Sequence, residues 1–508
     1  MIDTKALRQK ILDMAIKGKL VPQNPDDEPA SVLLERIRAE KQQLIKEGKI
    51  KKDKNDSIIY KGDDNRYYEK VGSEVKDITD ELPFEIPDNW VWIRLGYIVD
   101  FSQSDTVAAS QINPSSWVLD LEDIEKDSGK LLQRKTFGET QSKSDKHCFF
   151  KGNVLYSKLR PYLNKVIVAD ADGYCTTEIL AFNFGQHIAA QYAKTFFMSP
   201  YFVDYAMDGA YGVKMPRIGS HRGNSALMPV PPYTEQIHLV NRIDELFEQI
   251  DIIEQNQTDI DTLYDEFRKR TLTLAIQGKL VPQNPNDEPA SVLLERIRAE
   301  KKAKLGKKYV DSYIYKSDDN CYYEHIAGRA QDEQAEVPFD IPDNWAWVRW
   351  GNLSFSIQYG YNAPAKESGR IKMVRISDIH NNEVDWEHVP FCDINETDIK
   401  TYLLKENDIL FARTGGTVGK SYLVTCVPEE AIYAGYLIRT QYSAQLSAQY
   451  LKYFMESSLY WMQLKDGTIA TAQPNCNGQT LSKMILPLPP LAEQKRIVAK
   501  INEIFAML

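Results

Sequence analysis

A duplicated frame constrains this chain more than any other feature. Residues Lys19 to Lys41 (KLVPQNPDDEPASVLLERIRAEK) recur at Lys279 to Lys301, 260 positions on, with one change, Asp26 to Asn286. At offset 255, DSIIYKGDDNRYYE (Asp56 to Glu69) pairs with DSYIYKSDDNCYYE (Asp311 to Glu324), and LPFEIPDNWVWIRLG (Leu82 to Gly96) with VPFDIPDNWAWVRWG (Val337 to Gly351). At offset 258, MPVPPYTEQ (Met228 to Gln236) pairs with LPLPPLAEQ (Leu486 to Gln494). Between these anchors the halves share little beyond GNVLYSKLR (Gly152 to Arg160) against NDILFARTG (Asn407 to Gly415). One architecture is thus used twice and carries two different inserts. That is a plan for recognition more than for catalysis, since decay of one copy of a tandem enzyme would erode frame and insert alike.

A chain of 508 residues is too long for one core and should hold about two to four domains. Its net charge of -10 excludes nucleic-acid binding by bulk positive charge, so any such role needs local patches or a basic partner. The six cysteines (Cys148, Cys175, Cys321, Cys392, Cys426, Cys476) form no C-x-x-C pair, which argues against a disulfide framework or zinc ribbon and for a reducing cytoplasm. The N-terminal segment carries a charge in every helical turn, and no apolar run approaches the ~20 residues needed to span a bilayer. Neither secretion nor membrane insertion is expected.

After Pro231-Pro232 the chain runs from Tyr233 to about Gly278 without proline or glycine. Apolar residues there step by alternating threes and fours: Leu239, Ile243, Leu246, Ile250, Ile253, Ile260, Tyr264, Phe267 and Leu274, with Gln257 and Thr271 as polar interruptions. Such a period specifies a coiled-coil helix of about 60 Å. A second copy of the seam is split between the chain ends: Ile497, Ile501, Ile504 and Leu508 match its start, and Thr4, Leu7, Ile11 and Met14 its end. The economical solution is an antiparallel helical pair separating two globular inserts. Leu508 corresponds to Ile250 and Met1 to Asp261, so the two chain ends are expected about 16 Å apart along a virtual helix, closing a circular arrangement. Gly18 and Gly278, with the prolines that follow, should break each helix. The basic tails beyond the next short helix (Lys41, Lys46, Lys49, Lys51, Lys52, Lys54; Lys301, Lys302, Lys304, Lys307, Lys308) read as solvated arms, with phosphate contact the alternative.

Each insert mixes short β-type runs (NVLYSKL, KVIVAD, DILFAR, SYLVTCV) with helical stretches (AAQYAKTFFM, SAQYLKYFM), giving two mixed α/β domains in an α+β chain. The boundaries read as 1–50 for an N-terminal helical segment, 51–232 for the first insert domain, 233–305 for the central helix and short helix, 306–490 for the second insert domain, and 491–508 for the start of the distal helix. In the first insert, the window Lys146 to Ala169 holds five Lys/Arg and no carboxylate, and Gly209 to Thr234 holds three and none. Their Lys158, Arg160, Lys165, Lys214, Arg217 and Arg222, interleaved with Tyr156, Tyr162 and Tyr211, suit phosphates and base edges, and suit solvated loops equally.

RTGGTVGKS (Arg413 to Ser421) invites a nucleotide-binding reading, but the glycine spacing is one residue short of the phosphate loop and Thr414 occupies its first position. The glycines fit a tight loop that approaches another backbone, projecting Arg413 and Lys420. YGYNAPA, with Tyr359 and Tyr361, and QPNCNGQT, with Gln473 and Asn475, are polar turn-rich loops whose amides either pair with adenine edges or cap turns. No catalytic constellation emerges: the histidines form no H-x-x-x-H or H-x-E motif, there is no G-x-S-x-G or H-E-x-x-H, and Asn113-Pro114-Ser115-Ser116-Trp117 lacks the second proline and adjacent aromatic of an amino-methyltransferase tetrapeptide. No metal site is suggested either.

The repeated LAIQGKLVPQ helix end, the P-x-x-W-x-W-x-x-x-G segment leading into each insert and the PLPP-x-x-EQ segment leaving it resemble, over essentially the whole chain, the DNA-specificity subunit of type I restriction-modification systems. The resemblance implies two target recognition domains, each reading half of a bipartite double-stranded DNA site, held apart by two antiparallel helical regions. It implies two methyltransferase subunits docked on those helices and endonuclease-translocase subunits that join for restriction. Such a chain is no enzyme and binds no cofactor; S-adenosylmethionine, ATP and Mg are used by its partners. The alternatives are a fused adenine methyltransferase-specificity polypeptide, against which the missing methylation motifs argue, and a non-catalytic scaffold, which would line its inserts with carboxylates.

Overall fold

A computed structural model describes residues 1–48, 57–102, 105–212, 214–380, 382–467 and 476–507. The chain divides into two compact units, Met1–Thr258 and Asp259–Leu508. No described helix is long and apolar enough to cross a membrane.

In the first unit the helix Thr4–Ile16 begins at Asp3, whose carboxylate accepts the Ala6 N–H, and ends before Gly18. Gly18 sits at φ +65°, and a Cβ there would lie 2.4 Å from Pro87, so both the conformation and the space require glycine. A second helix, Ala30–Lys46, and an antiparallel meander of Ser57–Lys61, Tyr67–Val71 and Glu74–Asp77 follow. The strand Val91–Arg94 then pairs antiparallel with Leu227–Val230, so the segments leading into and out of the insert close it like a clasp. Inside lie a three-stranded antiparallel sheet with Val154–Ser157 at its centre, flanked by Val166–Val168 and Ile179–Phe182, and a five-stranded sheet. The helices Ala190–Met198 and Pro200–Asp208 cover the first sheet through an aromatic core of Tyr156, Phe182, Phe196, Phe197 and Phe202.

The second unit repeats the plan. Gly278 sits at φ +70° against Pro342, Ala346–Arg349 pairs with Ile485–Leu488, and Ile409–Ala412 lies between Leu437–Tyr442 and Ser421–Leu423 in a four-stranded sheet. Tyr192 and Tyr450 each donate a hydroxyl hydrogen bond of 2.7 Å to a carbonyl in the outgoing strand, Pro229 and Pro487 respectively. The inserts therefore differ in their outer sheets and agree in the strand that each wraps around.

The helix from Tyr233 to Ile276 is continuous over 44 residues, as the seam predicts. Its start packs antiparallel against Thr4–Ile16: Gln257 accepts from the Ile2 N–H, Arg8 pairs with Asp251 and lies over Phe247, and Leu12 and Ala15 share a core with Leu239 and Ile243. Full burial of a side chain such as Leu239 contributes roughly 1.5–3 kcal/mol. Its end packs against Leu491–Phe505, with Arg268 over the Phe505 ring. Seam residues Leu246, Ile253 and Leu274 are half-buried and Ile250 is buried. Ile260 and Phe267, however, are each 47% exposed, beside Leu263 at 62% and Tyr264 at 41%. Among the described residues, the contacts from the split second copy of the seam reach Gln257 on one side and Arg268 on the other, and these four side chains lie between them. Leu508 lies outside the described residues, and with it the expected spacing of the chain ends.

Candidate nucleic-acid interface

In both inserts the central strand is fully buried, and the first residue to leave it is a cation: Lys158 after Val154–Ser157 and Arg413 after Ile409–Ala412. The loops around these two positions form the candidate surface.

In the first unit, Lys158 donates its N–H to the Glu178 carbonyl and accepts from Ile218, and Arg160, at φ +52°, donates its N–H to the Pro216 carbonyl at 2.7 Å. Tyr211 and Arg217 exchange both backbone hydrogen bonds, so Tyr211 and residues 216–218 are zipped beside the 158–164 turn. Arg217 is forked onto Glu178, with Nε–Oε2 3.0 Å and Nη2–Oε1 2.9 Å. That fork holds the Glu178 carboxyl below its usual range. Arg222 lies 3.7 Å over the Tyr205 ring and pairs with Asp208. Lys165 donates to the Leu121 carbonyl at 2.5 Å, and its partial burial lowers its pKa. Lys146, at the start of the acid-free window, is only 4% exposed and faces Asp120. Among the described residues, Lys158, Arg160 and Lys214, like the exposed Lys151, have side chains in no ion pair, with Lys214 exposed beside Tyr211 at 60% and Tyr162 at 47% exposure in the same loops.

In the second unit, the Arg413 N–H donates to the Tyr436 carbonyl, and its own carbonyl accepts from Cys476. Its guanidinium lies 4.6 Å from the centroid of Tyr359, whose hydroxyl accepts the Gly478 N–H at 3.0 Å. Residues 414–420 form a hairpin between two antiparallel strands, with Gly415 and Gly419 at φ +77° and +90°. No helix N-terminus follows it, which removes the geometry of a phosphate loop. A Cβ on Gly419 would meet Leu464 at 2.2 Å, the close approach that the glycine spacing implied, here to side chains. Lys420 is exposed and in no ion pair among the described residues, Thr414 is half-buried, and Ser421 is buried at 8% with its hydroxyl unpartnered. Tyr361 is held edge-on against Tyr402 at 5.2 Å. Gln473 and Asn475 lie outside the described residues.

The structure thus brings Tyr359, Arg413 and Thr414 together around one recess of about 360 Å³, and adds Asn362 and Tyr436 to it. Tyr436 is 63% exposed. Its signal in the sequence is the Ala-Gly-Tyr turn preceding a β-type run, an aromatic at a turn with no core to fill. The basic tails are partly docked: Lys301 donates to the Gly351 carbonyl at 2.5 Å and Lys304 pairs with Glu300, whereas Lys49, Lys51, Lys52 and Lys54 lie outside the described residues. Among the described residues no group of three His, Cys, Asp or Glu side chains is placed to hold a metal ion.

Residues 359–507 match the family model for the type I restriction modification DNA specificity domain. The chain is 29% identical to the type I restriction enzyme EcoAI specificity subunit of Escherichia coli, across 98% of this chain and 88% of that protein. It is 27% identical to the EcoEI specificity subunit of Escherichia coli, across 99% and 89%. Among solved structures, a chain from a study of complex assembly and conformational transition of the type I R-M system aligns over 84% of this chain and 92% of that one, with TM-score 0.58 and 17% identity, a likeness of fold.

Proposed function

The chain belongs to the family of type I restriction-modification DNA-specificity subunits, and from that premise we propose that Lys158, Arg160 and Lys214 in one insert and Tyr359, Arg413, Thr414 and Lys420 in the other contact the two halves of a bipartite DNA target. It is a DNA-recognition subunit without catalytic action of its own, and its partners are DNA and the methyltransferase and restriction subunits. The carrying observation is that each insert ends its buried central strand on a cation that is in no ion pair among the described residues. An unpaired cation on a rigid strand end retains its charge for a ligand, whereas Arg217 and Arg222, tied to Glu178 and Asp208, shape the loops. Two methyltransferase subunits would dock on the helical spacer, where Ile260, Leu263, Tyr264 and Phe267 present an uncovered apolar stripe, and those subunits, with the endonuclease, would use S-adenosylmethionine, ATP and Mg.

Changing Lys158, Arg160, Lys214, Arg413 and Lys420 together to glutamine is expected to weaken DNA binding by the assembled complex and to flatten its salt dependence, by about 0.9 in log–log slope for each phosphate that is no longer neutralised. Anisotropy titrations across a salt series measure this, and an unchanged affinity and slope would refute the assignment. The purified chain alone should incorporate no radiolabelled methyl group into DNA; incorporation without added subunits would point to the fused methyltransferase instead.

A further inference from the structure

We infer that Arg413 reads the major-groove edge of a guanine in its half-site, with Tyr359 as the positioning residue that fixes its fork. The inference rests on the proposed DNA-binding reading and adds the base and the atoms that recognise it. A contact to phosphate asks only for charge and tolerates a mobile side chain, as the exposed Lys420 supplies on the same hairpin. A contact to guanine asks for two parallel donors at a set orientation, toward O6 and N7.

Arg413 is built for the second task. Its backbone is pinned on both sides, to Tyr436 and Cys476. Its guanidinium plane is backed by the Tyr359 ring, and that ring is anchored through its hydroxyl to the Gly478 N–H. Its Nε is buried without a partner, and no carboxylate or carbonyl among the described residues takes up the terminal nitrogens. The guanidinium forms part of the wall of the 360 Å³ recess, where Tyr436 and Asn362 leave room for a base edge. The corresponding position in the first insert is Lys158, a single mobile charge without a planar fork, so the two inserts differ in what this position demands of DNA.

The test uses the chain assembled with its methyltransferase partners, on duplexes carrying the target found by methylome sequencing. Each guanine of one half-site is replaced in turn by 7-deazaguanine, which lacks the N7 acceptor. One position should weaken binding by the unsubstituted complex roughly five- to a hundredfold and have no effect on Arg413→Ala. Arg413→Lys, which retains the charge and loses the fork, should lose the same discrimination while holding its salt slope. Tyr359→Leu should lose discrimination at that base more than overall affinity, and Tyr359→Phe, which keeps the ring and loses only its hydroxyl anchor, should lose less of it than Tyr359→Leu. If no guanine behaves this way, or if Arg413→Lys matches the unsubstituted complex, Arg413 is a phosphate contact and the inference fails. Absence of any sequence-dependent binding by the unsubstituted complex would overturn the underlying DNA-binding reading, and that result appears before any substitution is made.

Discussion

Glu235→Ala is expected to destabilise the first unit by about 2–4 kcal/mol, read as a shift in denaturant midpoint at constant slope. The Glu235 carboxylate is 1% exposed and accepts from the Trp90 indole N–H at 2.9 Å and from the Gln23 amide at 2.6 Å. It therefore ties the start of the long helix to the loop after the first helix and to the strand that opens the insert. Alanine would leave the buried indole donor unsatisfied, which is the costly part; changing Trp90→Phe and Glu235→Leu together removes both partners and should cost less than the single change. The second unit has the same trio, with Glu493 accepting from Trp345 at 2.9 Å and from Gln283 at 2.5 Å. Burial holds both carboxyls above their ordinary 4.5, against the pull of their donors. The folded chain thus binds these protons more tightly than the unfolded one, so this contribution to stability falls as pH rises from 4.5 through the folded value and is recovered on acidification. Glu235→Gln should flatten that slope. A loss under about 0.5 kcal/mol for Glu235→Ala would show that the trio holds nothing together.

The trio also shows what a single sequence can and cannot disclose. All three residues sit in the duplicated segments (VPQNP, PDNW, P-x-x-EQ), so their retention in both copies is legible. That they meet is not, because Gln23 and Trp90 lie 212 and 145 positions from Glu235. The long helix follows directly from its period. Periodicity says which face is apolar and is silent on what covers it, which is why Ile260 and Phe267 emerge exposed. The basic windows are visible as runs without carboxylates, yet a run is a local property. Glu178, 39 positions from Arg217, takes up that guanidinium, and Lys146 turns inward toward Asp120. Arg413 is legible as a cation on a glycine-rich loop. Its backing by Tyr359, far earlier in the chain, depends on how two strands fold together.

Inserting residues between Thr258 and Asp259 is expected to act on the spacing of the DNA target and not on its two half-sequences. The helix is continuous there, and the apolar side chains just beyond, Ile260, Leu263, Tyr264 and Phe267, are exposed, so an insertion at this point breaks no buried packing. Four added residues lengthen the helix by about 6 Å and advance its phase by roughly 40° beyond a full turn. Two base-pair steps add about 7 Å along the DNA axis and turn it by roughly 70°. Length nearly matches, and the remaining rotation of about 30° is within what a long helix and a deformable duplex can share. The four-residue variant, assembled with its partners, should therefore methylate sites whose gap is about two base pairs longer, with both half-sequences unchanged. Two added residues give about 3 Å, close to one base step, but rotate the following helix by roughly 200° where one step rotates DNA by about 35°. That variant should fail on every gap length, by roughly a hundredfold or more in methylation rate, although its chain folds and binds partners. Methylome sequencing of cells carrying each variant reads both outcomes. A four-residue variant that kept the original gap, or a two-residue variant as active as the parent, would show that the helix does not set the distance and angle between the recognised halves.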